Sequence, residues 1–218
     1  MPAAIRALFD NLKIMSGGNL GVNYDIAPTN EALAVIRDTK GDYAAHAMRF
    51  GLWEPWMDKS KKRYATFNAR WETVKSSRMF GPLWSAGQRC AVPASGWYEW
   101  SGPKSDKRRW HFSLGEPDGL FWFGGLYQTA QTDEGEERRS FSLLTVPAND
   151  TVGRYHSTER DPGGRMPVIL ESGQLERWLD PAADPDDMIQ TWPDDQTSVW
   201  EVPRKAVGFA QAQHLSKL

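Results

Sequence analysis

The 218-residue sequence has one cysteine, Cys90, and four histidines. A single thiol excludes an internal disulfide framework and a multi-cysteine zinc or iron–sulfur site. His46, His111 and His214 show no mutual metal-ligand spacing, so no metal and no cofactor are expected. No apolar run approaches the ~20 residues of a membrane span. The N-terminal stretch is no secretory signal, because Asp10 and Asn11 interrupt its apolar residues at once. A reducing, cytoplasmic address without membrane contact is the expectation. Internal repeats, heptads and long linkers are also missing. What remains is an ordinary globular composition, 40% hydrophobic and 25% charged. A chain of this length can bury about 70% of its surface, which suffices for a single domain over residues 1–218.

Net charge is −2, which taken alone speaks against a nucleic-acid partner. The average hides an asymmetry. Arg49–Arg109 holds thirteen Lys/Arg against five Asp/Glu, a balance of +8, while Glu171–Glu201 holds nine acids and one arginine, a balance of −8. Two readings stay open. Either the fold is two-faced with a cationic surface, or the stretches are solvated surface with pairs between them.

Short aromatic or β-branched runs cut by Gly, Pro and Asp predict strands at Ala45–Trp53, Arg89–Val92, Gly96–Trp100, Trp110–Leu114, Leu120–Tyr127, Ser140–Val146 and Met166–Leu170. Asp106–Arg109 and Asp133–Arg139 read as hairpin loops. A helix is expected over Arg70–Phe80, with Gly81-Pro82 as its stop, a second from Ser172 to before Pro181, and a third from Asp184 to about Trp192.

Eleven tryptophans are present, and most tryptophans pack cores. Trp56 differs, lying between Pro55 and the polar run Met57–Arg63. An aromatic beside Lys59, Lys61, Lys62 and Arg63 suits stacking on unpaired bases next to phosphates. Glu99 sits among Trp97, Tyr98 and Trp100. It is either an edge-strand surface glutamate or a desolvated acid, and desolvation would raise its pKa into the range of useful proton transfer. His156 ends a polar stretch after a strand and is either a surface residue or an acid–base group. Asn68 could cap a helix, and Arg70 could clamp a phosphate or simply face solvent. Cys90, within Arg89-Cys90-Ala91-Val92, reads as a small buried hydrophobe.

Six runs in order resemble one family. They are Tyr24-Asp25-Ile26-Ala27-Pro28, Phe50-Gly51-Leu52-Trp53-Glu54-Pro55-Trp56, Asn68-Ala69-Arg70-Trp71-Glu72-Thr73, Ser77-Arg78-Met79-Phe80, Arg89 through Trp100, and Arg165-Met166-Pro167-Val168-Ile169-Leu170. Their sequence and spacing are similar to the SOS-response-associated peptidase (SRAP) family of abasic-site-processing proteins. A weaker echo lies at Pro203–Gly208. The resemblance implies an α+β fold, a compact domain dominated by antiparallel β-structure with a few short helices around a cationic groove. It implies a monomer that senses abasic sites in single-stranded DNA during the DNA-damage (SOS) response, with the family's peptidase (hydrolase) and DNA-crosslinking activities. In the family an N-terminal cysteine closes a thiazolidine on the ring-opened sugar, and an asparagine, a glutamate and a histidine complete the site. Those three match Asn68, Glu99 and His156. The DNA-binding positions match Trp56, Arg70, Asp25, Pro28 and Arg165.

The chain departs from that pattern in four places. Its second residue is Pro2, not cysteine. The family's usual asparagine before x-Ala-Pro is Asp25. Ser157–Gly164 lengthens the segment after His156, and the arm before Tyr24 is short. Once the initiator methionine is removed, the Pro2 secondary amine would be a nucleophile able to form an iminium with an abasic aldehyde. Catalysis by Pro2 is one reading. A silent single-stranded-DNA-binding homologue, or a regulatory protein-binding domain on the same scaffold, is the other.

Overall fold

The computed structural model describes residues 12–15, 25–58, 65–115, 119–156 and 162–204. In chain order the elements are β1 (Lys13–Ile14), β2 (Glu31–Arg37), β3 (Tyr43–Phe50), α1 (Pro55–Asp58), β4 (Asn68–Arg70), α2 (Trp71–Val74), α3 (Gly81–Ser85), β5 (Arg89–Ala94), β6 (Trp97–Ser101) and β7 (Arg108–Leu114). They continue as β8 (Phe121–Gln131), β9 (Glu137–Pro147), α4 (Asp150–Tyr155), β10 (Arg165–Pro167), β11 (Ile169–Leu170), α5 (Leu175–Leu179) and β12 (Thr197–Val202). The fold is α+β and strand-dominated, with short helices.

The strands form two sheets. In the larger, β3, β2, β5, β8 and β9 pair in that order. The far edge of β9 returns to β3, with Arg49 opposite Ser140 and Phe50 opposite Phe141, so the five strands close into a ring. Closure removes two sheet edges at once. Where β8 and β9 splay apart, Arg165–Leu170 fills the gap. Its β10 half pairs with β9 and its β11 half with β8. Val168 bridges them: its N–H donates to the Leu144 carbonyl (2.8 Å) and its carbonyl accepts from the Gly124 N–H (2.9 Å). The smaller sheet is antiparallel, in the order β12-β7-β6. Trp97 of β6 and Phe112 of β7 stack at 5.2 Å, and Trp97 packs edge-on against Phe121 and Phe123 at the start of β8. One core therefore serves both sheets. Its fully buried aromatics include Trp122, Trp178, Phe112 and Phe141.

Helix expectations need correction. Asn68–Arg70 is a strand, and the helix that follows is one turn, Trp71–Val74. Gly81-Pro82 opens α3 instead of stopping a helix, because a proline in the first turn sacrifices no hydrogen bond. The expected helix from Ser172 is a short 3-10 turn leading into α5. The one expected after Asp184 is a 3-10 turn at Asp186–Met188. Arg108 and Arg109 lie in β7, and Glu137 already belongs to β9, so both hairpin loops are shorter than expected.

Among the described residues, two ion pairs join the basic and acidic stretches. Lys75 meets Asp186 at 2.5 Å, and Arg108 forms a two-point contact with Glu201. The buried Arg89 guanidinium donates to the carbonyls of Trp178, Asp180 and Ala183. The two stretches therefore touch at these points, as the reading of pairs between them expects.

Two buried histidines give the fold a pH dependence. Burial, with Arg139 nearby, pushes His46 down to about 4, and burial beside Arg109 does the same to His111. Both therefore bind fewer protons folded than unfolded, where histidine titrates near 6.5. Stability is complete above about pH 6.5 and is lost as pH falls toward 4. The loss is roughly 2 kcal/mol at pH 5 after allowance for partial solvent screening. Carboxylates such as Glu72, lowered by Arg165, contribute only below their ordinary value of 4.5. Urea midpoints at pH 7 and pH 5 test this. Equal midpoints would contradict it.

Candidate functional site

Glu99 and His156 come together from separate elements. Glu99 lies on β6, the edge strand of the small sheet. His156 is the C-cap of α4, and its Nδ1 stands 2.9 Å from Glu99 Oε2. Both side chains are partly open to solvent, at 21% and 27%. Glu99 is thus an edge-strand residue with a histidine beside it.

The local sequence explains where α4 ends. Asn149 is its N-cap, accepting from the Val152 N–H at 2.9 Å while donating to the Trp192 carbonyl and Thr197 Oγ1. Such a cap contributes about 1 kcal/mol to a helix. Thr197 belongs to β12, so the cap also fastens α4 to the small sheet that carries Glu99. At the other end, Gly164 adopts φ 69°, and a Cβ there would stand 2.0 Å from the His156 carbonyl. Only glycine fits that approach.

From Gly164 the chain leads to Arg165. Its guanidinium donates to Thr145 Oγ1 and the Thr145 carbonyl, and makes a bidentate contact with Glu72 at 2.9 and 2.8 Å. Thr145 is also the register partner of Arg70. On β4, Asn68 and Arg70 are exposed while Ala69 is buried, so both project from one face, as the strand's period of two requires. Asn68 is therefore no helix cap; Arg70 occupies that position, in an extended conformation. Glu99 and His156 meet directly. Arg165 follows Gly164 in the chain, and Thr145 of β9 links it to Arg70, through hydrogen bonds on one side and strand pairing on the other.

Other expected residues lie apart from these. Asp25 pairs with Arg109, whose guanidinium lies 3.8 Å over the Tyr98 ring. Arg109 and Tyr98 are on the face of the small sheet opposite Glu99, because adjacent residues alternate. Pro28 is exposed at the second position of a turn closed by the Asn30 N–H on the Ala27 carbonyl. Thr29 takes φ 81° at the third position, which a type II turn requires and glycine usually fills. Trp56 is 46% exposed on α1, a helical turn where a loop was expected. The base of that turn is held by the Trp53 N–H on Ser140 Oγ and by Gln128, which donates to the Trp53 carbonyl and Glu54. Trp100 is exposed as well, at 37%. Pro2, Lys59–Arg63 and most of the Ser157–Gly164 segment lie outside the described residues. Cys90 is wholly buried, and burial pushes its thiol far above the ordinary value, which fits a packing role.

Tyr155 and Trp110, which adjoin the Glu99–His156 pair, are not marked by the sequence. Their sole signal is adjacency, Tyr155 to His156 in the chain. Among the described residues no group of three or more His, Cys, Asp or Glu could hold a metal ion, and no helix is long and apolar enough to cross a membrane.

Known proteins resemble this chain over most of its length. The chain is 32% identical over 192 residues to the abasic site processing protein YoqW of Bacillus subtilis, covering 85% of this chain and 80% of that one. It is 30% identical over 155 residues to the abasic site processing protein HMCES of Xenopus tropicalis, covering 62% of this chain and 44% of that longer protein. A crystal structure of a protein from Bordetella bronchiseptica superposes with a TM-score of 0.73 at 25% identity, over 89% of this chain and 92% of that one. The family model for SOS response associated peptidase (SRAP) matches residues 1–208, and the chain belongs to that family.

Proposed function

We propose that this protein recognises abasic sites in single-stranded DNA in the DNA-damage (SOS) response and reacts with them through the Pro2 amine. The Glu99–His156 pair, 2.9 Å apart, is the observation that carries this reading. Two proton-carrying groups at that distance suit the two proton transfers that imine chemistry needs.

The unprotonated Pro2 nitrogen attacks the C1′ aldehyde carbon of the ring-opened sugar. The carbonyl π pair moves onto oxygen, the proton carried by the attacking nitrogen passes to that oxygen, and a neutral carbinolamine forms. Glu99 assists ring opening and delivers the proton with which the hydroxyl leaves as water, giving an iminium ion. His156 accepts a C2′ proton. The electrons of that C–H bond then expel the 3′ phosphate by β-elimination. Water hydrolyses the iminium and returns the free amine. Asn68 holds the terminal amine, Arg70 and Arg165 face the phosphates, and Trp56 stacks on a neighbouring base. Asp25 and Pro28 belong to the wall of the DNA path.

With Pro2 as the nucleophile no thiol adjoins the iminium to close a thiazolidine, so the expected product is a transient crosslink and a cut strand. Borohydride reduces an iminium to a stable amine and so tests this on an abasic oligonucleotide. The expected result is a trapped adduct that disappears when residues are added ahead of Pro2. No adduct from the wild type, or an undiminished one from the extended chain, overturns it. Salt-dependent DNA binding without adducts would then identify a silent binding homologue.

A further inference from the structure

We infer that Trp110 is the positioning residue that sets the Glu99–His156 pair, an inference that rests on the proposed role of that pair. Trp110 sits directly opposite Glu99 in the β6–β7 register. Side chains so paired have Cβ atoms about 4.5–5.5 Å apart and share one face of the sheet. On the same face the Trp110 ring lies 4.2 Å from the Tyr155 ring, tilted by 48°. Tyr155 is the last residue of α4, and His156 follows it. One indole thus touches the residue that carries the histidine and borders the residue that carries the carboxylate.

The indole is itself held. Its Nε1–H donates to Ser101 Oγ at 2.8 Å. The Arg108 guanidinium covers the ring at 4.7 Å and is tied in turn to Glu201, the register partner of Trp110 on β12. Stacking of this kind contributes about 0.5–1.5 kcal/mol, little for the fold but enough to fix the orientation of one helical end. The Asn149 cap anchors only the start of α4. Between that cap and His156 run six residues, and their far end is met through Tyr155 by Trp110 at 4.2 Å and, more distantly, edge-on by Phe112 at 6.2 Å.

A histidine whose Nδ1 faces a carboxylate keeps its proton on Nδ1 and leaves Nε2 as the acceptor. Long-range ¹⁵N NMR reads that tautomer directly and needs no activity. The expected result is a single Nδ1–H tautomer for His156 in the wild type and mixed tautomers in Trp110→Ala. Trp110→Phe, which keeps the stack on Tyr155, should restore the single tautomer. Tyr155→Ala should match Trp110→Ala, and the double variant should add nothing. Borohydride trapping should slow about tenfold in Trp110→Ala and recover in Trp110→Phe. A wild-type tautomer together with a wild-type trapping rate in Trp110→Ala overturns the inference, as does failure of Trp110→Phe to recover either. If Trp110→Ala does not fold, Tyr155→Ala carries the same two outcomes. Tautomers that respond as expected in a protein that traps no DNA would leave the positioning role intact and refute the Pro2 chemistry instead.

Discussion

Asp25→Ala is expected to lower the unfolding free energy by about 3 kcal/mol, because it strands a buried cation. Arg109 is 6% exposed and Asp25 is the carboxylate that meets its guanidinium. Tyr98, 3.8 Å beneath, contributes through its ring face but carries no negative charge. Among the described residues the Arg109 Nε has no acceptor. Removal of the carboxylate therefore leaves most of the desolvation cost of Arg109 without compensation. The expected effect is at the low end of the range for broken buried pairs, since Asp25 is itself 30% exposed. Asp25→Asn keeps an acceptor but loses the charge, and should fall between, at about 1–2 kcal/mol. The double variant Asp25→Ala/Arg109→Met should recover most of the loss, because no buried charge remains to be compensated. Urea denaturation of the four proteins measures the cycle. Single variants as stable as the wild type would show that water, not Asp25, compensates Arg109. In the light of this pair, an acid at a position where the family usually has asparagine places no free negative charge before DNA; Arg109 takes it up.

The largest chemical effect is expected for Glu99→Gln. The substitution keeps the size and one hydrogen-bonding oxygen but can neither donate nor accept the proton that carbinolamine dehydration moves. Formation of the trapped adduct should slow by about 10²–10⁴-fold. His156→Gln should give a loss of similar order. Since the two groups stand 2.9 Å apart and act as a unit, the double variant should cost little more than either alone. Single-turnover trapping on an abasic oligonucleotide measures all three. Full additivity would mean that the residues work independently, and an unchanged rate in Glu99→Gln would place the proton transfers elsewhere.

Much of the fold was legible because the strands of this chain carry aromatic and β-branched residues between Gly and Pro. All seven expected strands correspond to observed ones, with shifted ends. β2 was not legible. Its first residues, Glu31-Ala32-Leu33-Ala34, are helix formers, and only its place between β3 and β5, where Ala34 and Val35 are fully buried, makes it a strand. Asn68–Arg70 misled in the opposite way. Asn68 was read as a possible cap and Arg70 as the first residue of a helix, whereas pairing with β9 draws all three residues into the sheet. The segment Met166–Leu170 was expected as one strand. It divides at Val168 because its two halves pair with different neighbours.

By itself the sequence determined the strand-rich composition, the family, the burial of Cys90 and the identity of Asn68, Glu99 and His156 as the residues to examine. Only the tertiary structure decided that Glu99 meets His156, that Asp25 belongs to Arg109 and that Arg89, Lys75 and Arg108 are taken up by the acidic stretch. The reason is physical. Side-chain periodicity tells which residues share a face, because it is a property of one strand. What stands opposite that face depends on pairings between segments that are 57 residues apart for Glu99 and His156 and 84 for Asp25 and Arg109. Those pairings are set by sheet register and ring closure, which no local pattern records.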